Sequence, residues 1–496
     1  MKKKLLSVLL STAMVAALLV GCGSDEPVAS EGESSAADPV ASEEVVEEGK
    51  VLNIYCWNEE FKSRVTDHYP GYVEVDGTTG TIGDVTVMWN ITPSDDNAYQ
   101  NNLDETLLGQ ADAAADDKID IFLVEADYAG KYVNTDYSLA LSELGITDAD
   151  LANQYKYTQD VVTDTNGNLK GSSWQGCPGV LIYSRAVAEE VLGTQDPAAV
   201  QEYVKDWATF SDTAAKMKEA GYYMTASAND TYRVYSNNVT SKWVEDGVIN
   251  IDENIMNWVA DSKAMVDAGY TNTYDLWSDD WSKGFYPEGK VFCYFGPAWF
   301  VDFSMAADAE GSIANAGQWG ACSGPQGFFW GGTWMCPATG TDNPTLVKDL
   351  ILTMTANDDV LKEIVVDDND FTNSKPVMDA MAADASYSSK VLGGQNPLGM
   401  YCAGVEKIDL SNLSDYDQGC NEEFQTAMKG YFEGTYTKDE AIAVVDPKRK
   451  DSLYPFRNLA GVGVAFKITQ AISKKLNLEE KEYLKYLDLV CLRNDC

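Results

Sequence analysis

Histidine is almost absent from this chain: His68 is the only one among 496 residues. A Ser-His-Asp or Cys-His catalytic site would have to be built on it, and it lies in Asp67–Pro70, a stretch that reads as a loop. No Gly-x-Ser-x-Gly elbow, His-Glu-x-x-His helix or phosphate-binding Gly-rich loop occurs. The ten cysteines include no Cys-x-x-Cys pair, so the sequence shows no zinc framework. Positive charge is also scarce. Thirty-six Lys and Arg stand against 78 Asp and Glu, a formal charge of −42. A surface of that sign repels nucleic acid and anionic lipid. With so many acids, paired carboxylates for sugar hydrolysis are cheap to find at any spacing and carry little weight. The longest apolar run, Leu5–Val20, is too short for a comfortable membrane span, and no internal repeat is visible.

What is present divides the chain. Hydrophobic residues make up 45%, enough for a large core, and the length suits two or three domains. Lys2, Lys3 and Lys4 precede the apolar run, which ends in Leu19-Val20-Gly21-Cys22. This order resembles the lipobox of bacterial lipoprotein signal peptides. The resemblance implies a signal over 1–21, a diacylated Cys22 as mature N-terminus, and anchorage by lipid at the outer face of the cell membrane. Residues 22–50 contain no aromatic side chain and are rich in Ser, Ala and Glu. Such a segment buries too little apolar area to offset the cost of ordering and is expected to be a disordered tether. An exported compartment permits disulfides, but nine cysteines remain after Cys22 and their pairing is not legible.

Ordered structure is expected from Val51. Val51–Tyr55, Val85–Trp89 and the almost wholly apolar Ile119–Val124 read as strands, and Asn97–Ala115 has a helical period. Strands alternating with helices indicate an α/β lobe around a mainly parallel sheet. Asp164–Asn168 carries an Asn-Gly turn signal. Its Asp-x-Asn-x-Asn spacing lacks the acidic twelfth position of a calcium loop, so a turn is the better reading. Helices are expected within 197–270, another strand over Lys290–Phe295, and mainly helix over 344–443.

Aromatic residues gather beside turns: Trp57 after the first strand, Trp174, Trp277 and Trp281 around Asp279, Trp299 after Gly296-Pro297, and Trp330 and Trp334 about a Gly-Gly pair. Aromatic faces stack on the C–H face of a sugar ring, while carboxylates and amides hold its hydroxyls. Each Trp alone is more simply a core residue. As a set at strand ends, some should line a cleft, because ligands of open α/β sheets bind beyond the carboxyl ends of the strands.

The stretches VLNIYCWN, IDIFLVEAD, PGVLIYSR, VKDWATF, FYPEGKVFCYFGPAWF, WGACSGPQG and GGTW, in that order, resemble the extracellular solute-binding proteins of the carbohydrate class (family 1) that serve ABC importers. The resemblance covers about 51–443. It implies an α/β, two-lobed periplasmic-binding-protein-like fold (type II-like) with a hinge that closes on a ligand. The implied N-lobe is about 51–174 plus about 299–343, and the C-lobe about 175–298 plus about 344–443. The chain would cross between lobes near Ser173–Gly179 and near Phe295–Trp299. The implied ligand-binding residues are Trp57, Asn58, Glu125, Asp127, Trp174, Gln175, Asp279, Trp281, Trp299, Trp330 and Trp334. Ser184 stands where the family usually has Asn. The expected function is capture of a mono- or oligosaccharide and delivery to an ABC permease, with no catalysis, cofactor or metal. The acidic Glu125 and Asp127 leave a cationic or amino-sugar solute open, and an extracellular carbohydrate-active enzyme is the other alternative.

Beyond about Val445 the charge changes sign, to ten Lys and Arg against seven Asp and Glu over 446–496. There DPKRKDSLYPFRNLAGVGVAFKITQAISKKL resembles a segment of RecJ-type DHH single-stranded-DNA exonucleases. The chain holds no Asp-His-His metal motif, so residues 444–496 are expected to be a helical, inactive fragment, either fused to the binding protein or docked on it as an accessory hairpin. No nucleic-acid partner is expected.

Overall fold

The computed structural model describes residues 49–245 and 248–445. The signal, Cys22, most of the tether and residues 446–496 lie outside the described residues, and so do the expectations placed on them. Twelve strands are described: β1 (Val51–Cys56), β2 (Tyr72–Asp76), β3 (Thr79–Ile82), β4 (Val85–Ile91), β5 (Ile121–Glu125), β6 (Pro178–Ser184), β7 (Val244–Glu245), β8 (Val248–Ile249), β9 (Cys293–Gly296), β10 (Trp319–Cys322), β11 (Phe328–Phe329) and β12 (Thr333–Pro337).

The first lobe is built on a six-stranded sheet in the order β12-β5-β1-β4-β3-β2. β1 pairs in parallel with β4 and β5, whereas β12 on β5, β3 on β4 and β2 on β3 are antiparallel. The sheet is therefore mixed, not mainly parallel. The β2–β3 hairpin and the late-arriving β12 extend its two sides. Period-2 alternation sends Leu52, Ile54, Val87, Trp89, Ile121, Leu123 and Met335 to one face. Phe122, Val124, Trp334 and Cys336 go to the other. Helices Pro344–Ala356 and Asp358–Asp368 cover the first face through Val347, Leu350, Ile351, Leu361 and Ile364, all buried. Each such side chain contributes about 1.5–3 kcal/mol of burial.

The second lobe centres on β6, with β9, β10 and β11 all antiparallel to it. Every residue of β6 is buried. Val180 and Ile182 face one core and Leu181 and Tyr183 the other. Ser184 caps the helix Arg185–Leu192 by accepting the Val187 N–H, a role its hydroxyl fills well.

Three segments cross between the sheets. The first is 174–178, which leads into β6 at Pro178. The second is 330–332, between β11 and β12, and not Phe295–Trp299: the strand ending at Gly296 is followed by β10 and β11, which remain on the second sheet. The third is 369–374, where Thr372 bridges Gln175 and the Asn373 N–H donates to the Trp174 carbonyl at 2.7 Å. The expected lobe limits change accordingly. Residues 319–329 pair in the second sheet, and 344–368 pack on the first.

His68 ends the helix Glu60–His68 rather than lying in a loop, and its Nε2 meets Asp368 at 2.8 Å. Asp164–Asn168 is a turn whose Asp164 carboxylate accepts the Asn166 and Asn168 N–H groups. Cys56, Cys177, Cys293, Cys322, Cys336, Cys402 and Cys420 are free thiols, the first five buried.

Candidate functional site

Parallel pairing of β1 with β5 puts Ile54 beside Ile121 and Tyr55 beside Phe122, so the two strands end at one edge. Trp57 follows β1 there. Its ring meets Tyr99 at 5.5 Å and Tyr128 at 6.3 Å, both edge-on, which fixes the indole while leaving it partly exposed. Glu125 ends β5. Burial pushes its carboxyl up to about 8, and the neighbouring Asp127 charge acts in the same direction against Arg233. Burial thus favours the protonated form, in which the carboxyl can both donate and accept. One of its oxygens accepts the Asp127 N–H at 2.7 Å.

The second crossing segment closes on this edge. Gly331 has φ +66°, and a Cβ there would stand 3.2 Å from Glu125 Oε1 and 3.6 Å from Trp299. Glycine serves both the left-handed backbone and the close approach. Trp299 donates its indole N–H to the Trp330 carbonyl at 3.2 Å, and the two rings lie 5.6 Å apart. Trp277 stands over them, 5.6 Å from Trp330 and 6.4 Å from Trp299, the latter stacked. Its backbone is left-handed at φ +70°, and 54% of its surface is exposed. A large apolar ring held outward in a strained conformation is a feature of binding sites.

Asp127 is gripped by Arg233 of the second lobe's short helix Tyr232–Ser236. Arg233 Nη1 donates to Oδ1 at 2.7 Å and Nη2 donates to Oδ2, a bidentate pair. The guanidinium also lies 5.9 Å from the Trp330 ring. Burial opposes the Arg233 charge, but Asp127 holds it and raises its pKa overall. Beyond the pair opens a cavity of about 440 Å³ lined by Ser236, Trp243, Phe328, Lys407, Asn412 and Asn421, among others.

Of the residues expected from sequence, Glu125, Asp127, Trp299 and Trp330 come together here through Gly331 and Arg233, and Trp57 lies at the same strand-end edge against Tyr128. Four others are core residues. Trp174 is fully buried and stacked on Phe61 at 5.1 Å. Gln175 is buried in the crossing segments, Trp281 donates to Asp230 at 2.7 Å, and Trp334 donates to the Thr158 carbonyl at 2.7 Å. Asn58 accepts the Glu60 N–H at a helix start, and Asp279 lies exposed in a first helical turn. The sequence shows no sign of Arg233 or Tyr128 at the site, and it places Trp277 among the turn-side aromatics but not among the implied ligand-binding residues. Trp277 sits in the same aromatic-rich stretch as Trp281 and could have been chosen in its place. Arg233 has no local signal, because its partner is 106 residues away.

Among the described residues no group of three or more His, Cys, Asp or Glu could hold a metal ion, and no helix is long and apolar enough to cross a membrane.

Similar proteins agree with this architecture. No curated protein matches the chain. A crystal structure of an extracellular solute-binding protein of family 1 superposes with TM-score 0.62 at 17% identity, over 79% of this chain and 96% of that one. The ABC-transporter-associated binding protein of B. animalis subsp. lactis Bl-04, solved with β-1,6-galactobiose, gives 0.60 at 16% identity, over 80% and 96%. The galacto-N-biose/lacto-N-biose I-binding protein of Bifidobacterium longum, solved with lacto-N-biose, gives 0.59 at 12%, over 82% and 98%. At these identities the likeness concerns the two-lobed fold alone. The family assignment comes from the model of bacterial extracellular solute-binding proteins, which matches residues 77–392, and the chain belongs to that family.

Proposed function

We propose that the protein captures a sugar, mono- or oligosaccharide, outside the cell and delivers it to an ABC permease. The observation that carries this reading is the aromatic wall of Trp277, Trp299 and Trp330 beside the Glu125 carboxyl, at the strand ends of one lobe and against the other. Indole faces suit the apolar faces of pyranose rings, and a carboxyl that both donates and accepts suits hydroxyls. The sugar complexes of structurally similar proteins support the same class of solute. In this reading no bond is made or broken. Ligand binding favours the closed arrangement of the lobes, and the permease reads that shape. Lipid attachment at Cys22 would hold the protein at the membrane's outer face.

The test is a thermal-shift and calorimetric screen of the full chain against mono- and disaccharides, run beside a product assay. A sugar should stabilise the protein by mass action and be recovered unchanged. Release of a cleavage product would instead make it a carbohydrate-active enzyme, and silence toward the whole panel would refute sugar capture.

A further inference from the structure

Asp127, Glu125, Asp252, Asp417 and Asp409 each accept at least one hydrogen bond from the chain itself, and Asp127 and Asp252 accept through both oxygens. Both Asp127 oxygens accept from Arg233. Glu125 accepts from the Asp127 backbone. Asp252, on the cavity wall, uses one oxygen for Thr240 and Ser241 and the other for the Asn254 N–H. Asp417 accepts the Ser414 hydroxyl, and Asp409 accepts the Ser411 N–H. By contrast, the cavity-lining Ser236 has a buried hydroxyl with no hydrogen-bond partner.

We propose that Arg233, by occupying Asp127 from the opposite lobe, sets the charge selectivity of the site, so that it takes uncharged polyhydroxylated solutes and turns away ammonium-bearing ones. This rests on the sugar reading. An ammonium gains most from a desolvated carboxylate with free oxygens. To reach Asp127 it would have to displace a bidentate guanidinium that also lies over Trp330, leaving a buried Arg charge unpaired. An uncharged hydroxyl needs no such exchange. It can accept from Arg233 N–H edges not used by Asp127, or bond to Ser236, with the ion pair intact. The chain's net charge of −42 would draw cations toward the surface, so discrimination against them must be local. The pair supplies it at the boundary between the aromatic wall and the cavity. It also joins the carboxyl end of β5 to the helix Tyr232–Ser236, so the same contact that screens the solute bridges the two lobes.

Calorimetry on the full chain at pH 7 tests this with neutral mono- and disaccharides and their 2-amino-2-deoxy counterparts. The wild type should prefer the neutral member of a pair by about tenfold or more. Arg233→Gln should lower that ratio by about tenfold, since the freed Asp127 then attracts the ammonium. Arg233→Lys, which keeps the charge, should retain the preference, and Arg233→Gln/Asp127→Asn should restore it. Circular dichroism confirms that each variant is folded. Equal or tighter wild-type binding of amino sugars, or a ratio unmoved by Arg233→Gln, overturns the role of Arg233 while leaving sugar capture standing. Failure of every neutral sugar to bind overturns sugar capture itself.

Discussion

The Gln175 side-chain amide donates to the Glu60 carboxyl at 2.7 Å, tying the first crossing segment to the helix Glu60–His68. The same nitrogen donates to Asp370 at 3.2 Å in the third crossing, and the amide oxygen accepts the Thr333 N–H at 3.2 Å at the end of the second. One buried side chain thus fastens all three crossings. Gln175→Leu would leave the Thr333 N–H and two carboxyls without this partner, and burial makes that costly. The expected loss is about 2 kcal/mol or more, read as a lower urea midpoint. An unchanged midpoint would show that the three segments hold without it.

Stability should rise as pH falls from about 8 toward about 5. Burial pushes Glu60 up to about 7 and Asp230 up to about 7, and Glu125 up to about 8. Each folded carboxyl binds its proton more tightly than the unfolded chain does, so its contribution is full below the ordinary carboxylate range and is lost as pH rises through the folded value. His68 acts in the same sense: burial opposes its charge, but Asp368 raises its pKa overall. Carboxylates held low by hydrogen bonds, such as Asp164 and Asp252, weaken the fold only in stronger acid. Melting temperatures across pH 5–9 check this. A steady increase with pH would contradict it.

Trp277 and Trp174 should separate binding from folding. Trp277→Gly removes a half-exposed ring from a left-handed backbone that glycine adopts freely, so the fold should lose little. Sugar affinity should fall about three- to tenfold, the value of one aromatic contact. Calorimetry and a melting curve on the same sample decide. Undiminished affinity would remove Trp277 from the site.

Trp174→Ala should instead cost about 3–5 kcal/mol, as for other large-to-small changes in a packed core. The side chain is fully buried against Phe61, with no surface to offer a solute. A variant that keeps its stability but loses sugar binding would return Trp174 to the ligand wall.

The sequence pattern made the first lobe's central strands legible, because Val51–Cys56, Val85–Ile91 and Ile121–Glu125 carry strong alternation or continuous apolar character. β10, β11 and β12 are two to five residues long and every one of those residues is buried, so periodicity could not say which sheet each would join. That ambiguity misplaced the second crossing and the lobe limits. The site was half legible for a similar reason. Strand-end residues such as Trp57 and Glu125 are positioned by local geometry. A buried Trp and a cleft Trp look alike in sequence, and Trp174, Trp281 and Trp334 proved to be core. Arg233 depends on a contact that only the assembled lobes create.

The buried cysteines give the protein an internal clock. Burial lifts the Cys56 and Cys322 thiols to about 12, and Cys177, Cys293 and Cys336 are also raised by burial. Since the thiolate is the reactive form, alkylating reagents should meet these five groups only when the surrounding lobe opens. Cys56 and Cys336 belong to the first lobe's cores, and Cys293 and Cys322 to one core of the second. Mass-resolved labelling at each position would time the opening of either lobe separately, in the native chain and without an engineered cysteine.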